Sequence, residues 1–153
     1  MDFLKATLGN LKELNELIVE SRSIWNYPED YAAASLPLIM VNELYLNSSF
    51  SFEIRNSDLI GFLALVEKPE GALLDHLWIK KEYIGRGLGK VASRFVDQLA
   101  AENAWSKIMV YPDPPAEGFY LKQGYSDTSQ RLPSRVSGGP IFSVFEKSYK
   151  MIR

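Results

Sequence analysis

At Phe50 the hydrophobic period of this sequence changes from that of a helix to that of a strand. Upstream, Leu11, Leu14, Leu17, Ile18, Ile24 and Trp25 recur near helical spacing and make one apolar face. Thr7 or Asn10 is placed to cap that helix, after a short first strand over residues 3–6. Pro28 suits a first helical position, and the second helix is expected to take in residues 31–36 and to stop at Pro37. Residues 38–47 are ambiguous, with Asn42 placed to cap a short helical turn. Downstream, Phe50, Phe52 and Ile54 alternate with polar residues, Asn56-Ser57-Asp58 is a turn, and residues 59–66 complete a hairpin. Residues 72–79 form a third strand. A glycine-rich loop follows, then a helix with Leu88, Val91, Ala92, Phe95, Val96 and Leu99 on its apolar face. Residues 108–110 read as a buried strand, 116–122 as a short helix, and Tyr125 onward and 141–145 as the last strands. Two helices, three strands, helix, strand, helix, strands is the order of a mixed α/β (α+β) sheet domain, taken to extend over residues 1–153.

Composition removes several classes of function. The formal charge is −2, which argues against general nucleic-acid binding, a task that needs a basic surface. There is no cysteine, so no disulfide framework, Cys-ligated metal or thiol nucleophile is available, and with His76 the only histidine no metal site is expected. The N-terminus shows no basic flank followed by an apolar run, and no apolar stretch has membrane-spanning length. A cytoplasmic protein is the default expectation.

The segment Leu77-Trp78-Ile79-Lys80-Lys81-Glu82-Tyr83-Ile84-Gly85-Arg86-Gly87-Leu88-Gly89-Lys90 carries the chemical signal. Gly85, Gly87 and Gly89 lie between a strand and a helix, where glycines let the main chain approach a ligand and a helix N-terminus favours an anion. Lys80, Lys81, Arg86, Lys90 and Arg94 cluster there in a chain that is acidic overall, a local contrast that suits a phosphate-rich ligand. A glycine turn ahead of an ordinary helix with a solvated basic face accounts for the same residues. A Walker P-loop is excluded by Ile84 and Val91. A loose dinucleotide pattern, Gly87-Leu88-Gly89-Lys90-Val91-Ala92, stands too far from its strand, with too little chain after it for a Rossmann domain.

This segment resembles the coenzyme motif of the GCN5-related N-acetyltransferases (GNAT), Gln/Arg-x-x-Gly-x-Gly/Ala: Ile84-Gly85-Arg86-Gly87-Leu88-Gly89 matches it except at its first position, where Ile84 replaces the polar residue. A second signature of that family, Asn-x-x-Ala-x-x-Phe-Tyr-x-x-x-Gly-Phe, is met by Ala116, Phe119, Tyr120 and Gly124, with Asp113 standing for Asn and Tyr125 for Phe. The two occur in the family's order, and the resemblance extends from Phe50 to about Phe145. It looks like that of a small bacterial member.

The resemblance implies a central, mostly antiparallel mixed sheet flanked by helices, splayed between the third strand and the strand at Ile108. Acetyl-CoA would enter the splay, its pantetheine arm along the main chain of Leu77, Trp78 and Ile79 and its pyrophosphate on the N–H groups from Gly85 to Lys90; Ile84, Asp113, Ala116 and Phe119 would complete the cofactor side. It implies acetyl transfer to an amine, of a small molecule or a peptide, by direct attack. Tyr120 is the candidate general acid, being placed beside the coenzyme sulfur. Asp75, through water, is the candidate base, with His76 the alternative; alternation puts these two on opposite faces of the strand unless a bulge turns it. Trp25, Tyr27, Glu29 and Tyr31, with neighbouring Asp30, are candidates to hold the amine as a cation. Arg131 and Arg135 flank a segment able to cover the site or bind a substrate carboxylate. Nucleic acid and membrane are not expected partners; a homodimer has only the resemblance in its favour. A non-catalytic acyl-CoA-binding domain would keep the glycines without needing Tyr120.

Overall fold

The computed structural model describes residues 1–150. Seven strands form one sheet: β1 (Asp2–Lys5), β2 (Phe50–Asn56), β3 (Asp58–Lys68), β4 (Gly71–Ile79), β5 (Lys107–Val110), β6 (Ser126–Pro133) and β7 (Ile141–Ser148), in the order β1-β2-β3-β4-β5-β7-β6. Every pairing is antiparallel except β4 with β5. The helices are α1 (Leu11–Arg22), α2 (Glu29–Ile39), α3 (Glu43–Ser48), α4 (Leu88–Glu102) and α5 (Glu117–Lys122). The expected mixed sheet with flanking helices is the one observed.

The sheet separates two apolar layers. On one face, Ile60, Leu63, Leu65, Ala72 and Leu74 pack against Ala92, Val96 and Leu99 of α4. On the other, Leu59, Phe62, Ala64 and Trp78 pack against Leu14, Leu17 and Ile18 of α1. Apart from Val91, which is exposed, and Ile24 and Trp25, which lie beyond the end of α1, the apolar stripes read from both helices are the faces they bury.

Three local expectations changed. Neither Thr7 nor Asn10 caps α1 through its side chain; the Asn10 amide instead donates to Glu53 at 2.8 Å. Glu53 is a buried carboxylate also paired with Arg55 at 2.6 Å, and satisfying it outweighs an exposed cap. Pro28 precedes α2 rather than opening it, and Pro37 lies inside the helix, in its last turn. There it forfeits the hydrogen bond that an N–H at this position would give to the Ala33 carbonyl. Asn42 does cap α3, accepting from the Tyr45 amide at 2.8 Å.

Two features of β4 place the site. It pairs with β5 only over Gly71–Leu74 with Lys107–Val110, so its next five residues have a free edge on that side. This is the splay that was expected. β4 also carries a bulge: Ala64 is opposite His76 and Leu65 opposite Leu74, leaving Asp75 as an extra residue. Before the bulge, Ala72 and Leu74 face α4; after it, that face holds Leu77 and Ile79, while Trp78 faces α1.

Candidate active site

Strict alternation would put residues 72, 74, 76 and 78 on one face. The bulge breaks that parity, and Asp75 and His76 come to line the same cavity instead of opposite faces, so the expectation from alternation is corrected. The cavity encloses about 210 Å³ between β4, α1, α2 and the segment joining β6 to β7. Arg22, Tyr31, Tyr111, Asp113 and Arg135 complete its polar wall.

Asp75 and His76 are differently placed within it. The Asp75 side chain is 38% exposed and that of His76 only 6%. Asp75 Oδ2 accepts from the Tyr45 hydroxyl at 2.6 Å, which leaves Oδ1 open. His76 Nδ1 accepts from the Trp78 indole N–H at 2.9 Å, and its Nε2 lies 4.0 Å from Asp75. Burial pushes the His76 imidazole below its ordinary range, against the opposing pull of Asp75. A neutral ring that accepts at Nδ1 bears its proton at Nε2, so the nitrogen facing Asp75 is a donor. Burial and the charge of Asp75 both push the Tyr45 phenol up, which keeps it a donor as well.

Asp113 sits deeper. Tyr27 donates a hydrogen bond to its Oδ1. Burial raises the Asp113 carboxyl above the usual range, while Tyr27 and the nearby Arg22 oppose the rise. Arg22 is buried; it donates to the Ala32 carbonyl at 3.0 Å and to Ser35 Oγ, and lies over the rings of Tyr27 and Tyr31. The far end of α1 thus carries a fixed positive charge into the cavity wall.

A second cavity, about 240 Å³ and mostly apolar, lies along the free edge of β4. Leu77, Trp78, Ile79, Ile84, Ala116, Phe119 and Tyr120 line it, with Ser21, Ile24 and Trp25 opposite. Trp78 borders both cavities. Tyr120 is buried, and burial first, then Asp113, pushes its phenol up, so it stays protonated at neutral pH. Ser21 Oγ and Trp25 Nε1 are buried there with no hydrogen-bond partner among the described residues.

The glycine loop closes one end of this slot. Gly85 and Gly87 have φ of +84° and +79°, values that favour glycine, and a Cβ on either would meet no atom within 4 Å. The first intrahelical bond of α4 runs from Val91 N–H to the Gly87 carbonyl at 3.2 Å, so the amides of the preceding turn project from the helix end. At Gly89 a Cβ would come within 2.7 Å of the Phe119 ring, so this glycine serves close packing between α4 and α5. An open amide cradle beside Arg86 and Lys90, continuous with an apolar slot holding two unpartnered polar groups, fits a ligand with an anionic phosphate end and an amide-bearing apolar arm. Among the described residues no group of acidic or histidine side chains is arranged to hold a metal ion, and no helix is long and apolar enough to cross a membrane.

The family model described as Acetyltransferase (GNAT) family matches residues 12–125. The chain belongs to this family. The GNAT fold extends over nearly all of it. A PaiA N-acetyltransferase from Thermoplasma acidophilum, solved in complex with coenzyme A, superposes with a TM-score of 0.80 at 21% identity, covering 97% of this chain and 98% of that one. A GCN5-related N-acetyltransferase from Rhodopseudomonas palustris gives 0.79 at 17% identity over 97% and 95%. A GNAT acetyltransferase from Staphylococcus aureus Mu50 gives 0.72 at 20% identity over 97% and 99%. Among curated proteins there is no match.

In this GNAT protein many of the residues named from sequence fall in one of the two cavities, while Tyr27, Glu29 and Arg131 line neither. Leu77, Ile79, Ile84, Ala116, Phe119 and Tyr120 line the apolar slot, and Asp75, His76 and Tyr31 the polar one. Asp113 was expected on the cofactor side and lies in the polar cavity, held there by Tyr27. Trp25, expected to hold the amine, faces the apolar slot. Glu29 is exposed in the first turn of α2 and lines neither cavity. Arg131 forms an exposed pair with Asp127 at 2.8 Å and lies outside both. Arg22, Ser21, Tyr45 and Tyr111 were missed. Arg22 follows Ile18 by four residues on the apolar stripe of α1, and a cation on a buried face was a legible signal. Tyr45 had none, since its partner lies 30 residues away.

Proposed function

We propose that this protein transfers an acetyl group from acetyl-CoA to an amine. The reading carries with it a cytoplasmic setting and a free amine, of a small molecule or a peptide. The observation that supports it most is the meeting of the two cavities at Trp78: a polar one with a free carboxylate oxygen and an apolar one with a protonated phenol. Family members use acetyl-CoA. In this chain the amides and cations of residues 85–90 would hold its phosphates, and the slot along β4 its arm.

Acetyl-CoA supplies the acyl group as a thioester; transfer forms the N–C bond, breaks the C–S bond and takes two protons from an ammonium acceptor, one passing to solvent and one ending on the coenzyme thiolate. Asp75 receives the acceptor at its open Oδ1. An alkyl ammonium has a pKa of about 10, so a carboxylate that orders it and relays its proton to water assists formation of the neutral nucleophile. His76 is unsuited to that work: its Nε2 bears a proton, and its Nδ1 is occupied by Trp78. Its part is to hold the bulge and Asp75 in place. Tyr120 keeps its proton in the apolar slot. A free thiol has a pKa of about 8.5, below that of a phenol raised by burial, so Tyr120 donates a hydrogen bond to the developing thiolate more readily than it gives up its proton.

The test is thiol release from acetyl-CoA on a panel of amines. Amine-dependent release is expected, lost or sharply reduced in Asp75→Asn. A protein whose melting temperature rises with acetyl-CoA, yet which releases no thiol with any amine, would be the non-catalytic acyl-CoA binder instead.

A further inference from the structure

The polar cavity does not end at Asp75. It continues into a larger one of about 550 Å³, and the two share Asp75, Tyr111, Ser134, Arg135 and Phe142. The outer part adds Lys68 from the end of β3 and an apolar wall that includes Leu73 and Leu132. Its charges are therefore one carboxylate at the inner end and two cations, Lys68 and Arg135. Among the described residues neither cation is in an ion pair. Asp113, the other acid of the narrow part, accepts from Tyr27 and faces the buried cation of Arg22.

The segment that carries Arg135 is anchored. Ser134 Oγ lies 3.5 Å from the Tyr31 hydroxyl, and the Val136 amide donates to Ser134 Oγ at 3.1 Å. Gly139 comes so close to the Tyr31 ring and to Ser134 that a Cβ there would collide with both. Contacts on both sides of Arg135 hold its backbone against α2 and leave its guanidinium as the free group at the groove.

We propose that the acceptor is an amine that also bears a carboxylate on an apolar body, an amino-acid-like zwitterion. This rests on the acetyltransferase reading above. The ammonium meets Asp75 Oδ1, the carboxylate meets Arg135 and Lys68, and the body lies along Leu73, Leu132 and Phe142. A guanidinium offers a carboxylate two parallel hydrogen bonds, which a neutral substituent cannot use. A polyamine would bring its second ammonium against two cations, an arrangement that selects against it.

Matched acceptors that differ only in the carboxylate decide the matter: phenylalanine with phenethylamine, and lysine with cadaverine, alongside spermidine. Wild-type protein should favour the carboxylated member of each pair in kcat/KM by at least about tenfold, the usual scale for one charged hydrogen bond. Arg135→Ala should erase that preference by lowering kcat/KM for the carboxylated member alone, at an unchanged melting temperature. Arg135→Glu should turn preference toward spermidine. Wild-type preference for the decarboxylated amines or spermidine, or an equal loss on both members of a pair in Arg135→Ala, overturns this assignment while the acetyltransferase reading stands. No thiol release with any acceptor overturns both.

Discussion

The indole N–H of Trp78 donates to Nδ1 of His76 at 2.9 Å, two residues back on the same face of β4. This bond ties the strand beyond the bulge to the residue beside it, and it fixes which nitrogen of a neutral His76 holds the proton. Of the two residues at the bulge, His76 therefore offers no basic nitrogen, and Asp75 offers its open Oδ1.

Stability should consequently depend on pH through His76. Its folded pKa lies below the unfolded value of about 6.5. Between those two values the unfolded chain binds a proton that the native chain does not, so the His76 contribution is full above pH about 6.5 and falls as pH falls toward the folded pKa. His76→Asn keeps an acceptor and removes the titration. Its melting temperature should fall less steeply from pH 7 to pH 5 than that of wild type; parallel curves would show that His76 is not the group responsible.

Asp75→Asn should lower acetylation most where the acceptor is largely protonated. Raising the pH should recover part of the loss, because solvent then supplies neutral amine. The pH profile of kcat/KM is the readout. A fully active Asp75→Asn enzyme would remove Asp75 from the proton path.

Tyr120→Phe keeps the ring and its packing but removes the donor. A loss of about 10²-fold in kcat is expected, the scale for one hydrogen bond to developing charge, with little change in coenzyme affinity. Full turnover with lowered stability would mark Tyr120 as structural only.

Trp25→Phe deletes a buried N–H that has no partner among the described residues. The free protein should be unharmed or slightly more stable, since an unsatisfied donor is lost. If that N–H serves the ligand arm, coenzyme A affinity measured by calorimetry should fall by about 5- to 10-fold. Unaltered affinity would mean that the indole does not meet the ligand.

Gly87→Glu places a charged side chain at φ +79° where the cradle is open. The rise in melting temperature produced by acetyl-CoA should vanish. A folded Gly87→Glu protein with unaltered coenzyme affinity would exclude this loop as the phosphate site.

By itself the sequence determined what depends on near neighbours along the chain. The helical stripe of Leu14, Leu17 and Ile18, the hairpin about Ser57, and the loop with Gly85 and Gly87 ahead of α4 are set by periodicity, turn chemistry and backbone freedom within a few residues. The apolar slot and its glycine loop were legible for that reason. The polar cavity was decided only by tertiary structure. Its contacts join Tyr45 to Asp75, Tyr27 to Asp113 and Ser134 to Tyr31, pairs separated by 30, 86 and 103 residues. Its geometry turns on one extra residue in β4, and no local pattern at Asp75 distinguishes a bulge from a regular strand. The bulge exists because β4 must meet the register of β3 at both ends while presenting Leu74 to α4 and Trp78 to α1. That demand comes from packing on both faces of the sheet, and it appears only once both helices are in place.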